Sequence, residues 1–402
     1  MSTRSIAHER EHRLIHMLFF LFGFGVMAWV PRFPELRENL ALGNGAFGSL
    51  MSTGSIGAFF GLLTVGHIIH KFGAERVSIA AFILLFVTLF SLVHITNSLI
   101  FLILNIAFGF GITSVHVSLT SQALHFNDRS GQNIVISTSG YWSAGALTAA
   151  ISSGLLVDRI SLKTHISILA VVVALIMISI IFKLRPVLLE SGVGQDSDYT
   201  IKEIFTSFKI DWPVSLGMAC AVYLEFAVGD WGTIFTKDRL GMSAGLSTIP
   251  FIVFMTMMIL GRLLIHKLLK FAPIYVWARR GALLAGIVFG LSIIIATHLP
   301  SSYKWWSYSL FLLGFLSAGL GSSFIAPSFF TAASRRSKLP NAIVVGQFGV
   351  VNNVLIFIVK WIVAWTMQFT GSIALAMMIP TLMVLLSILF VGTLKEDSQA
   401  KA

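Results

Sequence analysis

Long apolar stretches recur along almost the whole chain and are separated by short polar breaks. A helix needs about 20 mainly apolar residues to cross the hydrocarbon core of a bilayer. Twelve stretches meet this requirement, and the pattern therefore predicts twelve membrane-spanning helices. The predicted spans are residues 14–31, 45–69, 77–96, 99–123, 134–157, 166–183, 212–235, 248–265, 281–298, 307–330, 342–368 and 373–393.

One long hydrophilic stretch, residues 184–211, interrupts this pattern at mid-chain. It predicts an N-terminal six-helix bundle over 1–183, a cytoplasmic linker, and a C-terminal six-helix bundle over 212–402. Within the linker, apolar residues recur at helical spacing between 201 and 208, which is typical of a short amphipathic helix lying on a membrane surface.

The two predicted halves repeat each other in sequence. Residues 66–71, Gly-His-Ile-Ile-His-Lys, resemble residues 261–267, Gly-Arg-Leu-Leu-Ile-His-Lys, at an offset near 195. The Gly-Phe-Gly of 109–111 has a counterpart in the Gly-Leu-Gly of 319–321. Parallel repeats of six spans are typical of transporters that hold their substrate between the halves near mid-membrane. We therefore expect an all-α membrane protein built from two pseudo-symmetric bundles.

Composition and charge agree with a membrane protein. Hydrophobic residues make up 56% of the 402 residues and charged residues only 11%, whereas a soluble domain carries about 25% charged residues. Of the 28 Lys and Arg residues, 20 fall on the side of the termini and 7 on the other. This bias predicts that both termini are cytoplasmic in a bacterial inner membrane. The net charge of +11 is then a topology signal, and no nucleic-acid partner is expected.

Several kinds of chemistry have no sequence support. The single cysteine, Cys220, excludes an intrachain disulfide and a cysteine-based metal cluster. The histidines have no metal-ligand spacing. The sequence contains no phosphate-binding loop and none of the common hydrolase motifs. We therefore expect no cofactor, no metal and no enzymatic activity.

Rows of small residues three or four apart predict where helices pack closely. They lie on the second and fifth spans: Gly54, Gly57 and Gly61, and Gly140, Ala144 and Thr148. At the end of the first span, the spacing of Arg32 and Glu35 favours a local salt bridge.

In its twelve predicted spans, its repeated halves and the loop after the second span, the chain resembles the major facilitator superfamily. The loop after the second span matches the superfamily pattern at Gly66, Lys71, Gly73 and Arg76, with His70 in place of the usual acid. The resemblance covers the whole chain and implies the twelve-helix transporter fold.

A narrower similarity is to bacterial fucose-permease-like sugar transporters. It is carried by Trp-Val-Pro-Arg-Phe-Pro at 29–34, Gly-Tyr-Trp-Ser-Ala-Gly at 140–145, Glu-Phe-Ala-Val-Gly-Asp-Trp at 225–231 and Pro-Ser at 327–328. His116 stands where that group carries an intramembrane acid. The similarity implies transport of a sugar-like solute and makes His116, whose side chain type titrates near neutrality, a candidate coupling residue.

Charges inside the predicted spans are few. Glu225 and Asp230 are the acids that lie clearly within a span, and Lys360 is the lone basic residue there once Lys183 and Arg262, near span ends, are counted with the loops that follow them. A charge at the bilayer centre costs at least about 2.5–3.5 kcal/mol, so such residues are functional candidates. Glu225 is the foremost candidate for proton coupling, with His116 and Asp230 beside it. Asp230 and Lys360 are each about 27 Å along their helices, near the outer side, and are expected to form an ion pair.

Polar and aromatic residues on the cavity-lining helices could bind a small polar solute, because aromatic faces stack on sugar rings and amides bind hydroxyls. The candidates are Trp29, Gln122, Tyr141, Trp142, Tyr223, Trp231, Gln347, Asn352 and Asn353.

The function favoured by the sequence is proton-linked secondary transport of a small polar solute, with a sugar-like compound preferred. The halves would rock around a central cavity in a monomer whose partners are the substrate, protons and the lipid bilayer. Two alternatives stay open: an efflux pump for amphipathic compounds, and a non-transporting membrane receptor or assembly partner.

Overall fold

The regular elements of the computed structural model are helices throughout the described residues, which are 3–130, 134–190, 210–336 and 341–395. In the first half they are α1 (Thr3–Met27), α2 (Phe33–Asn39), α3 (Asn44–Ser52), α4 (Gly54–Phe72), α5 (Ala74–Leu92), α6 (Ser98–Ser130), α7 (Val135–Leu156) and α8 (Leu162–Leu184). In the second half they are α9 (Trp212–Leu240), α10 (Ala244–Leu268), α11 (Ile274–Leu283), α12 (Phe289–His298), α13 (Lys304–Ser322), α14 (Ile325–Arg336), α15 (Asn341–Thr370), α16 (Ile373–Ala376) and α17 (Met378–Leu386).

These helices confirm the predicted all-α membrane fold. Within the described residues, eleven helical segments are long and apolar enough to cross a membrane. The predicted span that is not among these eleven is the fifth, 134–157, which corresponds to α7; its 22 residues measure about 33 Å but are richer in glycine, serine and threonine. The fourth span is longer than predicted, because α6 continues through polar residues to Ser130.

Several spans are interrupted, which the apolar pattern did not predict. The second is broken at Thr53 between α3 and α4, and the tenth between Ser322 and Ile325. The ninth contains a π-helical turn over Leu284–Val288. In a bilayer, freed backbone groups at such breaks need partners from neighbouring helices.

The break in the second span is satisfied by Asn105 of α6, which is 2% exposed. Its amide nitrogen donates to the carbonyls of Leu50 and Met51 at 2.8 and 3.1 Å, and it lies 3.1 Å from the Thr53 hydroxyl. One buried side chain therefore donates hydrogen bonds to the backbone carbonyls at the break in this helix.

The chain divides into two compact units. Unit 1 comprises Met1–Trp29 and Leu50–Ser207, and unit 2 comprises Val30–Ser49 and Phe208–Ala402. The segment that follows α1 therefore packs with the second half, and the domain boundaries drawn from the sequence stay a prediction. The predicted amphipathic helix at 201–208 lies outside the described residues.

The segment Val30–Ser49 is fastened within unit 2 by salt bridges. Arg37 donates to the carboxylate of Asp238 at 2.7 Å, and Lys237 lies 2.7 Å from Glu38. The predicted salt bridge between Arg32 and Glu35 is confirmed at 2.7 Å.

Small residues set the helix contacts of unit 1. A Cβ on Gly57 would overlap the carbonyl oxygen of Ile106, and one on Gly109 would overlap the backbone of Gly54. The small-residue contact predicted for the second span is therefore confirmed as the α4–α6 interface.

The packing predicted for Gly140, Ala144 and Thr148 is wrong within unit 1. These three residues are exposed, and α7 instead meets α1 through Gly145, whose Cβ would overlap the carbonyl oxygen of Phe20. The fifth span carries small residues on more than one face, and the sequence does not show which face has a neighbour.

Candidate functional site

A cluster of three residues joins three spans within unit 2. Glu225 lies about 20 Å along α9, counted from Trp212. Its carboxylate Oε2 is 3.4 Å from Nη2 of Arg262 on α10. The Glu225 side chain is 18% exposed and the Arg262 side chain 34% exposed. The acid singled out by the sequence thus has a cationic partner within the membrane-spanning region.

Arg262 also hydrogen-bonds to the backbone at the break in the tenth span. Its Nε donates to the carbonyl oxygen of Ser323 at 3.0 Å, in the gap between α13 and α14. Arg262 therefore donates to a backbone carbonyl at a helix break in unit 2, as Asn105 does in unit 1. Arg262 differs in that it also contacts an acid, Glu225. We call Glu225, Arg262 and Ser323 the acid–guanidinium cluster.

The second carboxylate oxygen of Glu225, Oε1, is buried and finds no hydrogen-bond partner among the described residues. A buried polar atom of this kind is costly unless a proton, a water or a ligand reaches it. The arrangement can therefore bind and release a proton at Oε1 while Oε2 stays beside Arg262.

Arg262 was not among the predicted site residues, because it lies close to the loop after the eighth span and was counted with that loop. Long basic side chains near a span end commonly reach the interface. The signal that could have found it is its place inside the apolar run 251–265, directly after Gly261.

A second polar contact lies further along α9. Lys360 Nζ on α15 is 2.8 Å from Asp230 Oδ2, and both side chains are mostly buried, at 13% and 18% exposure. The ammonium also lies 4.9 Å from the centroid of the Phe226 ring. The two acids of α9 therefore face different helices, with Glu225 towards α10 and Asp230 towards α15. The functional role of both stays a prediction.

We expect the Asp230–Lys360 pair to behave as a coupled unit. Asp230→Asn and Lys360→Met, each alone, leave one charge without its partner, and the double variant should recover part of the loss. Contacting residues in one ion pair show coupling of about 0.5–3 kcal/mol. Thermal unfolding of the two single variants and the double variant measures it.

The exposed Arg13–Glu9 pair on α1 is the matched control, with a separation of 2.6 Å and an expected coupling of about 0.3–0.5 kcal/mol. Strict additivity at Asp230 and Lys360 would show that their contact is not energetically coupled.

Four predicted substrate ligands are buried in packing. Trp29 packs edge-to-face on Phe108, with ring centroids 4.9 Å apart, and Trp231 does so on Phe47 at 6.3 Å. The Tyr223 side chain is 0% exposed, and its hydroxyl lies 3.4 Å from the carbonyl oxygen of Val359. The fourth buried ligand is Gln122.

Gln122 has a structural role that the sequence did not predict. Its amide nitrogen donates to the carbonyl of Val187 at 3.1 Å, and its amide oxygen accepts from the backbone N–H of Leu189 at 3.1 Å. The side chain is 2% exposed, so it fastens the segment after α8 to α6.

The other candidates differ in how far their side chains are exposed. The His116 side chain is exposed and its ring centroid lies 6.4 Å from that of Phe22. Tyr141 is 48% exposed. The remaining candidates are Trp142 and Asn353, which are partly buried, and Gln347 and Asn352, which are buried. Asn352 donates to the carbonyl of Phe348 at 3.0 Å, while its Oδ1 has no hydrogen-bond partner among the described residues.

In the part of the chain that the structure describes, no three His, Cys, Asp or Glu residues are grouped to hold a metal ion.

The comparisons with known proteins agree with this architecture. Residues 15–359 match the family model described as Major Facilitator Superfamily. An uncharacterised MFS-type transporter of Yersinia pestis is 26% identical over 326 residues, which is 81% of this chain and 80% of the relative.

Solved structures show the same fold at low sequence identity. The nucleoside transporter NupG has a TM-score of 0.72 at 14% identity, covering 96% of this chain and 98% of that one. The D-xylose-proton symporter has a TM-score of 0.67 at 15% identity, covering 94% and 96%. The narrower similarity to fucose-permease-like transporters stays a prediction. The chain is a multi-pass membrane transporter, not an enzyme, and it belongs to the Major Facilitator Superfamily.

Proposed function

We propose that this protein is a proton-coupled secondary transporter of a small polar organic solute, with a sugar-like compound favoured. Access to its binding site alternates between the two sides of the membrane. It acts as a monomer in a bacterial inner membrane, with both termini in the cytoplasm and with residues 1–183 and 212–402 as its two functional halves.

The observation that carries this proposal is the environment of Glu225. Proton coupling needs a group that loads and releases a proton inside the membrane, where a fixed charge is costly. The Glu225 carboxyl has a buried Oε1 without a hydrogen-bond partner among the described residues, and its Oε2 lies beside Arg262. The group is therefore placed to exist in two protonation states.

The acid–guanidinium cluster gives those two states different structural consequences. When Glu225 is ionised, Arg262 is attracted to α9 and to the carbonyl of Ser323 at the same time. A proton on Glu225 removes the charge–charge attraction and leaves Arg262 with the Ser323 carbonyl. Loading the proton thus weakens the tie between α9 and α10 next to the break in the tenth span. Broken helices are typical locations of substrate and ion sites in transporters.

The solute class is supported by similarity of fold and by side-chain chemistry. The chain resembles in fold a protein named as a nucleoside transporter and one named as a D-xylose-proton symporter. Both named solutes contain a polyhydroxylated ring. Tyr141 offers an exposed aromatic face, and Asn352 Oδ1 has no hydrogen-bond partner in the described part of the chain. Within unit 1 the Tyr141 ring suits stacking on a sugar ring, and within unit 2 the Asn352 amide oxygen suits a hydrogen bond to a hydroxyl.

A panel of solutes tests the proposal. Purified protein in vesicles with a pH gradient is offered pentoses, hexoses, nucleosides, amino acids and amphipathic cations. We expect a sugar or a nucleoside to accumulate on the alkaline side, and a protonophore to abolish that accumulation. Expulsion of amphipathic cations alone would identify an efflux pump, and the absence of any flux would favour a receptor or assembly partner.

A further inference from the structure

Three histidines line one face of α1 near its start. His8, His12 and His16 are spaced four residues apart, so they project from the same side of the helix. The ring centroids of His12 and His16 lie 4.2 Å apart. None of the three takes part in the proposed proton site at Glu225.

Both ring nitrogens of His16 are engaged in hydrogen bonds, although the residue is only 2% exposed. Nδ1 lies 2.8 Å from the carbonyl oxygen of His12, one turn earlier on α1. Nε2 lies 2.6 Å from the hydroxyl oxygen of Ser137 on α7. That hydroxyl oxygen lies in turn 2.8 Å from the carbonyl oxygen of Ile134, the N-cap residue of α7.

The protons in this row of hydrogen bonds, from the His12 carbonyl through His16 and Ser137 to the Ile134 carbonyl, can be arranged in two ways. A carbonyl oxygen only accepts, so Nδ1 of His16 carries a proton in both. The Ser137 hydroxyl has one proton to donate. If it donates to Nε2, His16 is neutral and the Ile134 carbonyl loses that bond. If it donates to Ile134, Nε2 must carry a proton of its own, and His16 is a cation.

We propose that His16 is a second proton-binding residue of the transporter, and that Ser137 relays its protonation to the first turn of α7. This inference rests on the proposed proton-coupled transport and adds a site in unit 1 to the one in unit 2. A proton arriving at Nε2 turns the Ser137 hydroxyl towards the carbonyl oxygen of Ile134, which then accepts from this hydroxyl as well as from the Thr138 N–H. Loss of the proton turns the hydroxyl back. No covalent bond other than N–H and O–H is involved.

The surroundings limit this site to one added proton. His12 on the same helix and Tyr141 on α7 face the His16 ring, with the Tyr141 ring centroid 4.3 Å away. Two imidazolium rings as close as those of His12 and His16 would repel each other. Because Tyr141 is 48% exposed, the His16–Tyr141 contact joins the buried ring to an accessible face of α7.

Other charged groups near this end of unit 1 have partners of their own or lie at the surface. The Arg129 guanidinium of α6 is paired with the buried Glu11 carboxylate of α1. His125 is partly buried on α6, and Lys183 is exposed in the last turn of α8. Of the α7 groups described as contacting His16, Tyr141 makes a ring contact and the Ser137 hydroxyl makes the hydrogen bond through which a proton on His16 acts on α7.

The first test is a titration of the His16 imidazole by nitrogen NMR on labelled full-length protein, from about pH 5 to pH 9. We expect Nε2 to pass from unprotonated to protonated in one step while Nδ1 stays protonated. Ser137→Ala should move the midpoint by at least about half a pH unit, since it removes the side-chain partner of Nε2. An Nε2 resonance that stays in one state across this range would overturn the proposal.

The second test is the pH profile of solute exchange at equal pH on both sides. His16→Gln keeps a hydrogen-bonding side chain but cannot become a cation. We expect the exchange rate of the variant to lose one pH-dependent region. In the pH range where the rate of the unmodified protein changes by up to about tenfold per pH unit, the rate of the variant should change by less than about twofold. His94→Gln is the matched control, because His94 makes the same Nδ1 contact with the carbonyl four residues earlier, at 2.8 Å, and is exposed.

The outcomes separate this inference from the proposed function. If the unmodified protein shows proton-linked transport and the His16→Gln profile superimposes on it, the relay is wrong and the proposed function stands. If no proton-linked transport occurs at all, the proposed function fails, and the NMR titration alone decides whether His16 and Ser137 form a proton-binding pair.

Discussion

Glu225→Gln is expected to abolish uphill accumulation of the solute while leaving exchange of solute across the membrane in place. Glutamine keeps the length and the hydrogen-bonding capacity of the side chain, so Arg262 retains an oxygen partner at this position. It cannot load or release a proton, and the solute then equilibrates without reference to the pH gradient. With one proton per solute, one pH unit drives at most about tenfold accumulation, since one unit corresponds to about 1.4 kcal/mol. The expected ratio for the variant is one.

Accumulation and exchange are both measured in vesicles, because a misfolded variant would lose both. Glu9→Gln is the control, as Glu9 is an exposed acid on α1 whose partner, Arg13, is also exposed. It should accumulate solute like the unmodified protein. Accumulation by Glu225→Gln at the unmodified ratio would remove Glu225 from the coupling mechanism.

Gly57→Ala is expected to have the largest effect on stability. The added Cβ would overlap the carbonyl oxygen of Ile106 and lie 2.7 Å from the backbone nitrogen of Phe110. Both atoms belong to the backbone of α6, so no side-chain rotation can relieve the overlap, and the helices must separate. Overpacking of this kind costs about 1–3 kcal/mol or more. We expect a clear fall in the unfolding temperature of the purified protein and a lower yield.

Gly66→Ala on the same helix is the matched control. A Cβ at Gly66 meets nothing within 4 Å, and replacing a mid-helix glycine by alanine stabilises by about 0.5–1 kcal/mol. The two variants should therefore shift the unfolding temperature in opposite directions. Equal unfolding temperatures for both variants would contradict the close contact between α4 and α6.

The helices were predictable because the bilayer allows few alternatives to a long apolar helix. The breaks were not, since each depends on a side chain from another helix. The break at Thr53 needs Asn105 from α6, and the break after Ser322 needs Arg262 from α10. Hydropathy along one segment contains no information about such partners.

The same limit applies to the candidate site. Glu225, Asp230 and Lys360 stand out in the sequence because charges are rare inside spans. Gln122 and Tyr223 do not differ in sequence from residues that contact a solute, yet both are buried and hydrogen-bonded to backbone carbonyls. A polar residue in a span can bind a solute or hold neighbouring segments together, and only the three-dimensional arrangement distinguishes the two.

The most direct test of the central claim is to measure proton movement while the solute enters. Vesicles containing the protein are mixed with solute in a weakly buffered medium, and the external pH is recorded. The unmodified protein should make the medium more alkaline as solute enters, whereas Glu225→Gln should admit solute with no pH change. An identical alkaline shift in both proteins, or solute entry through the unmodified protein without any shift, would contradict a proton site at Glu225.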